Sequence, residues 1–199
     1  QDNMLYISSF GNGFSIFDTG TKKFRSYKSP FTADINGIKG NTYNMHSDVK
    51  GSALWIGSET GLHKLDLTKQ LFKSFNLNSL AKGINLLPVN VMAVEKYNTG
   101  THEKLWIKIP DKGTYICDLR NNSIAATPVK LVKYLGNSFG FFDFFIDSKN
   151  RLWISNNKYG LICYDISNDK IVIPENKYFV DKKEWVTNFF EDKTGVVWI

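Results

Sequence analysis

A tripeptide of branched aliphatic, aromatic and Ile occurs five times in the chain: Leu5-Tyr6-Ile7, Leu54-Trp55-Ile56, Leu105-Trp106-Ile107, Leu152-Trp153-Ile154 and Val197-Trp198-Ile199. Successive copies lie 49, 51, 47 and 45 residues apart. A period of that length marks an array of supersecondary units, each too small to bury its own apolar surface and therefore stacked on its neighbours. The repeat extends well past the tripeptide. A glycine follows each of the first four aromatics (Gly13, Gly61, Gly113, Gly160), an aspartate follows each glycine by five residues (Asp18, Asp66, Asp118, Asp165), and an apolar residue lies six further on (Phe24, Phe72, Ile124, Ile171).

These offsets divide each unit into four short strands. Strand two carries the tripeptide, strand three runs from the glycine to the aspartate, and strand four begins at the Phe or Ile. The segment between the aspartate and strand four reads as a hairpin turn, because Asp can bond its own downstream backbone. A second turn precedes the tripeptide, as DVKG at 48–51, DSKN at 147–150 and DKTG at 192–195, where Gly and Asn tolerate positive φ. Strand one is the apolar stretch before that turn, around Met45 and over 91–94, 141–146 and 186–190, and the third copy carries a longer insertion over 95–104.

Abundant aromatic and β-branched residues, without runs of helix-period apolar residues, agree with an all-β chain. A four-stranded antiparallel unit at this period predicts a β-propeller. The segment holds about four blades' worth: a partial blade at 5–27, blades at 43–75, 91–127 and 141–174, and a partial blade at 186–199. It reads as part of a larger ring.

With 199 residues, 42% of them hydrophobic, the chain has enough apolar surface for a substantial core. No apolar run approaches the ~20 residues of a membrane-spanning helix, and the first residues lack the organisation of a signal peptide. The net charge of +6 comes from scattered lysines rather than a basic stripe, which argues against a nucleic-acid partner. Cys117 and Cys163 fall on opposite faces of neighbouring blades by strand alternation and are expected as buried free thiols. His46, His63 and His102 share no spacing that would build a metal site or a triad. The expectation is a non-catalytic segment with no cofactor and no metal.

The pattern D-x-x-G-x-L-W-I-G followed by a glycine-led strand ending in Asp resembles the two-component regulator propeller repeat. Its best copy is DVKGSALWIG over 48–57 with GLHKLD over 61–66, with one extra residue in the turn. Ser8, Lys108 and Ser155 stand where that copy has Gly57, and Tyr6 stands for the first Trp. The resemblance covers nearly the whole chain. It implies the periplasmic sensor part of a hybrid two-component system histidine kinase, with an oligosaccharide ligand, the remainder of the same sensor chain as partner, and an inner-membrane location. The alternative is a scaffold propeller for protein interaction or homodimerisation, without a small-molecule ligand.

In this register Trp55, Trp106, Trp153 and Trp198 are expected to pack in the core, and the repeated aspartates to cap turns. Binding is expected on the face holding the strand two to three loops and the long connectors at 28–42, 76–90, 128–140 and 175–184. Trp185 alone among the tryptophans lies outside the repeat register. It either plugs the gap between two blades or stacks on a sugar ring, with Tyr159, Lys158, Asn157 and Asn156 supplying hydrogen bonds from the adjacent loop.

Overall fold

Leu-aromatic-Ile is apolar on both faces of a strand, so a sheet built on it must be covered on both sides. The computed structural model describes residues 3–10, 13–27, 38, 40–47, 51–69, 71–86, 90–135, 143–156, 159–172 and 186–199. The first sheet contains β1 (Met4–Ser9), β2 (Gly13–Asp18) and β3 (Lys23–Tyr27). The second contains β4 (Thr42–Ser47), β5 (Ala53–Ser58), β6 (Gly61–Asp66) and β7 (Leu71–Phe75), followed by the short helix α1 (Leu77–Leu80). The third contains β8 (Ala93–Asn98), β9 (Glu103–Ile109), β10 (Gly113–Asp118) and β11 (Ser123–Ala126), followed by α2 (Val129–Leu135). The fourth contains β12 (Phe144–Ile146), β13 (Arg151–Asn156), β14 (Gly160–Asp165) and β15 (Lys170–Val172). A two-stranded pair, β16 (Phe190–Glu191) and β17 (Val197–Trp198), follows. Every pairing is antiparallel and every sheet is a meander in chain order. The fold is all-β, built of several four-stranded antiparallel sheets.

One rule orders the core. In the second and third tripeptides the two aliphatic residues face the preceding sheet and the aromatic faces the following one. Leu54 and Ile56 join Phe14 of the first sheet, while Trp55 joins Leu105, Ile107 and Cys117 of the third. Trp106 in turn packs with Phe144, Leu152 and Ile154 of the fourth. Neighbouring sheets also touch through their first strands, β4 against β8 and β8 against β12.

Turn chemistry explains the invariant letters. Gly13, Gly61, Gly113 and Gly160 all have positive φ as they open strand three, a conformation that costs a side chain-bearing residue more than glycine. In the turn before the tripeptide, Asn150 and Gly195 are likewise left-handed. The aspartate that begins this turn does two jobs. Asp147 Oδ1 accepts the backbone N–H of Lys149 (3.0 Å) and Arg151 (2.9 Å), and its Oδ2 accepts the indole N–H of Trp153 at 2.9 Å. Asp192 repeats the arrangement with Thr194, Val196 and Trp198, the last at 2.8 Å. Asp18, Asp66, Asp118 and Asp165 cap the other hairpin, each accepting backbone N–H groups from the turn that follows.

The structure corrects five expectations. Strand one of the third sheet is Ala93–Asn98 rather than 91–94, because the Val91 N–H is taken by Ser58 O of the preceding sheet at 2.8 Å. The supposed insertion at 95–104 is a longer hairpin: pairing continues beyond Glu95↔Trp106 to Asn98↔Glu103. Strand one of the last unit is Phe190–Glu191 rather than 186–190, and within the described residues of the fourth sheet strand one is Phe144–Ile146. Two connectors expected as loops contain helices, and in α2 Leu131, Tyr134 and Leu135 are buried at helical spacing against the core of the third and fourth sheets. Finally, the four tryptophans do not share one environment. Trp55 and Trp106 are buried, Trp153 is half-buried, and Trp198 is 60% exposed, since no described sheet follows it. The two cysteines are buried and free, as expected, and burial pushes the thiols of Cys117 and Cys163 up to about 12 and 11.

Trp106→Ala is expected to cost about 3 to 5 kcal/mol in urea unfolding of the intact chain. Trp198→Ala should cost less than about 1 kcal/mol, as a surface substitution does. Equal losses at the two positions would contradict the directional packing.

Candidate functional site

Strand alternation places Glu95 and Lys108 on the face of the third sheet that carries Trp106, opposite the fourth sheet. The seam there is otherwise apolar, with Phe144, Leu152, Ile154 and Ile162 fully or nearly buried. Glu95 is only 6% exposed. Its Oε2 lies 3.1 Å from His46 Nδ1 on β4 and accepts the Ile146 N–H of β12 at 3.5 Å. One carboxylate therefore links the first strands of three consecutive sheets.

Near it lie Asp143, just before β12, and Lys108 on β9. Burial raises the Asp143 carboxyl to about 6, helped by the charge of Glu95 and opposed by Lys108. Burial likewise lowers the Lys108 ammonium to about 8, with Asp143 acting in the other direction. Two groups of opposite charge thus titrate on either side of neutrality within one seam. Clustered perturbed groups of this kind are characteristic of functional sites. These four residues were missed from the sequence as a group. The available signal was Lys108 itself, standing at the register that Gly57 holds in the second sheet, together with charged residues inside otherwise apolar first strands.

The loop residues singled out from the sequence lie at the same end. The Ser155 N–H bonds Asp143 O at 3.0 Å, and Asn156 follows directly. Asn156 and Tyr159 are brought together, with the Tyr159 N–H donating to Asn156 Oδ1 at 3.1 Å. Both also hold α2. Asn156 Nδ2 donates to Tyr134 O at 2.5 Å, and the Tyr159 ring meets the Tyr134 ring edge-on at 5.1 Å. Lys133 Nζ sits 4.5 Å from the centroid of that same Tyr134 ring. Asn157, Lys158 and Trp185 lie outside the described residues.

The remaining histidines serve the sheets. His63 is buried on β6, with Nε2 2.9 Å from Ser58 Oγ and Nδ1 2.8 Å from Ser74 Oγ, and burial lowers it to about 4. His63 thus links Ser58 of β5 to Ser74 of β7. His102 Nε2 lies 2.8 Å from Asp118 Oδ2, which holds that carboxyl well below the usual range together with bonds from Asn121. Among the described residues no helix is long and apolar enough to cross a membrane.

No family model matches the chain, and no curated protein matches it. Solved structures do. The chain superposes over its full length on the extracellular domain of a Bacteroides thetaiotaomicron protein assigned as the hybrid two component system BT4673, with a TM-score of 0.67 and 14% identity, covering 27% of that chain. It superposes over 98% of its length on the extracellular domain of the hybrid two component system BT3049 from the same organism, with a TM-score of 0.61 and 17% identity, covering 30% of that chain. An auxiliary nutrient binding protein of B. thetaiotaomicron matches 87% of the chain at a TM-score of 0.53 and 9% identity, covering 38% of its own length. The chain thus spans less than two fifths of each of these structures, and the likeness at these identities is one of fold.

The Asp143 shift carries a pH signature. Between pH 3.8 and about 6 the unfolded chain releases this proton while the folded chain keeps it, so the group lowers stability as pH rises through that window and the loss persists above it. Asp143→Asn should therefore unfold at higher urea than the parent at pH 7.5, by about 1 to 3 kcal/mol after allowance for partial exposure. The gain should vanish below pH 4, and a gain independent of pH would assign it to another cause.

Proposed function

We propose that the four-stranded sheets are blades of a β-propeller and that the chain is a ligand-sensing segment of an extracytoplasmic receptor. The supporting observation is the superposition of nearly the entire chain on extracellular domains of two hybrid two component systems. The repeat, with its aromatic facing the next sheet, supplies the radial stacking that such a ring requires. On this reading the protein lies in the periplasm, anchored through the remainder of its own chain, and passes its signal to a histidine kinase. It performs no catalysis itself.

The ligand in this proposal is an oligosaccharide bound at the end of the sheets where Asn156, Tyr159, Lys108 and Asp143 lie, with Asn157, Lys158 and Trp185 completing the contacts. An aromatic ring beside amide and charged groups suits a sugar, which offers an apolar ring face and a rim of hydroxyls. Binding there would act across the Glu95 bridge, since a ligand shifts a conformational equilibrium only through contacts that differ between the two states. The competing reading, a scaffold for protein interaction or dimerisation, draws on the 60% exposed Trp198 and 53% exposed Leu5 at the two outer faces of the stack.

The intact protein, screened against an oligosaccharide array, is expected to retain a narrow set of ligands. Tyr159→Phe and Lys108→Met should weaken that binding about tenfold, the range for loss of one hydrogen bond to a polar ligand, while Lys193→Met at a distant turn leaves it unchanged. An array without a retained saccharide, combined with a stable dimer in sedimentation, would favour the scaffold reading instead.

A further inference from the structure

The residue after the glycine that opens strand three is buried in all four sheets, and in three of them it is large and apolar: Phe14, Leu62 and Leu161. The third sheet has Thr114 there, and its Oγ1 is buried without a hydrogen-bond partner. The residue opposite departs as well. Ser8, Gly57 and Ser155 pair with Phe14, Leu62 and Leu161, whereas Lys108 pairs with Thr114. A cavity of about 110 Å³ lies at this point. Thr114 and Ala126 line it from the third sheet, Val132 and Leu135 from α2, and the turn ahead of β10 adds Lys112.

We propose that this cavity binds a short aliphatic monocarboxylate such as acetate or propionate, its carboxylate held by Thr114 and Lys112 and its alkyl end by Val132 and Leu135. The volume equals the liquid share of about four water molecules, at about 30 Å³ each, which limits the occupant to an acid of that size. Leaving a buried hydroxyl unpaired is costly, and the Thr114 O–H can donate to a carboxylate oxygen without giving up a bond within the protein. Among the described residues Lys112 is the only charged one in the lining, and it forms no ion pair. That balance recruits an acid over its neutral counterpart. A water molecule would satisfy the hydroxyl but leave the apolar wall of Ala126, Val132 and Leu135 without the contacts an alkyl group makes. Asn156 and Tyr159 meet α2 from the fourth sheet, whereas this cavity lies between the helix and the third, so binding here does not rest on saccharide sensing there.

Propionate titrated into the intact protein at constant ionic strength, followed by methyl-resolved NMR, should give saturable shifts at Thr114, Val132 and Leu135. Propionamide, its neutral counterpart, should bind about tenfold or more weakly. Thr114→Val keeps the branched shape and removes the unpaired hydroxyl, so it should weaken propionate about tenfold while keeping or raising the unfolding temperature. Lys112→Gln should weaken it by a similar factor, and Lys193→Met, which removes a lysine at a distant turn, should leave it unchanged. Absence of saturable shifts with both acetate and propionate overturns the proposal, as does undiminished binding in Thr114→Val. Equal weakening by Lys193→Met overturns it too, because the effect would then belong to overall charge. Lys112→Gln, a variant outside the core, answers the question even if Thr114→Val does not fold.

Discussion

A strand that is apolar on both faces cannot be satisfied within its own sheet, and the architecture depends on that constraint. An aliphatic-aromatic-Ile tripeptide supplies such a strand in every unit, and only a sheet on each side removes it from water. Burying one tryptophan side chain of about 150 to 250 Å² is worth about 4 to 6 kcal/mol by area, comparable with the whole net stability of many domains. The polarity of the stack, aliphatics back and aromatic forward, then follows from the twofold periodicity of the strand. Trp198 illustrates the converse. It has the same register as its counterparts and the same indole-to-aspartate bond as Trp153, yet stays 60% exposed where no described sheet follows it.

Much of this was legible in the sequence because it depends on local chemistry. The hairpins follow from Asp at fixed offsets, and the strand-three boundaries hold because glycine marks a positive φ at Gly13, Gly61, Gly113 and Gly160. The second role of Asp147 and Asp192 was not legible. A carboxylate that caps its own turn and also receives an indole N–H six residues later appears in sequence only as another turn aspartate. The α2 helix was missed for a different reason: Val129–Leu135 shows just one helical turn of periodicity, and its formation relies on burial of Leu131, Tyr134 and Leu135 against sheets distant in sequence.

The candidate site was less legible than the fold. Tyr159 lies in the turn between β13 and β14 and Asn156 is the last residue of β13, but their contacts with Tyr134 could not be foreseen, since the helix carrying that residue was read as a loop. Glu95, Asp143 and Lys108 come from three separate strand or loop segments, and each taken alone looks like ordinary surface charge. Pairing of β8 with β9 brings Glu95 and Lys108 onto one face, and the stacking of the third sheet on the fourth adds Asp143. Sequence periodicity could report which face each occupies, yet not that the facing sheet would place a second charge opposite.

The contrast among the seams bears on how such a stack could transmit a signal. The seam between the second and third sheets is closed by Trp55, Leu62, Leu105, Ile107 and Cys117, and apolar packing of that density has no low-cost alternative arrangement. The seam between the third and fourth sheets combines equally buried apolar residues with a carboxyl raised to about 6 and an ammonium lowered to about 8. Its electrostatic part is the one a charged or hydrogen-bonding ligand can alter, because burial has already made both ions costly and a new partner would stabilise them preferentially. Glu95 carries any such change to β4 and β12 at once, through His46 and the Ile146 N–H. In a receptor of the proposed kind, ligand binding would therefore be read most directly at this seam, while the apolar seam keeps its neighbours in register.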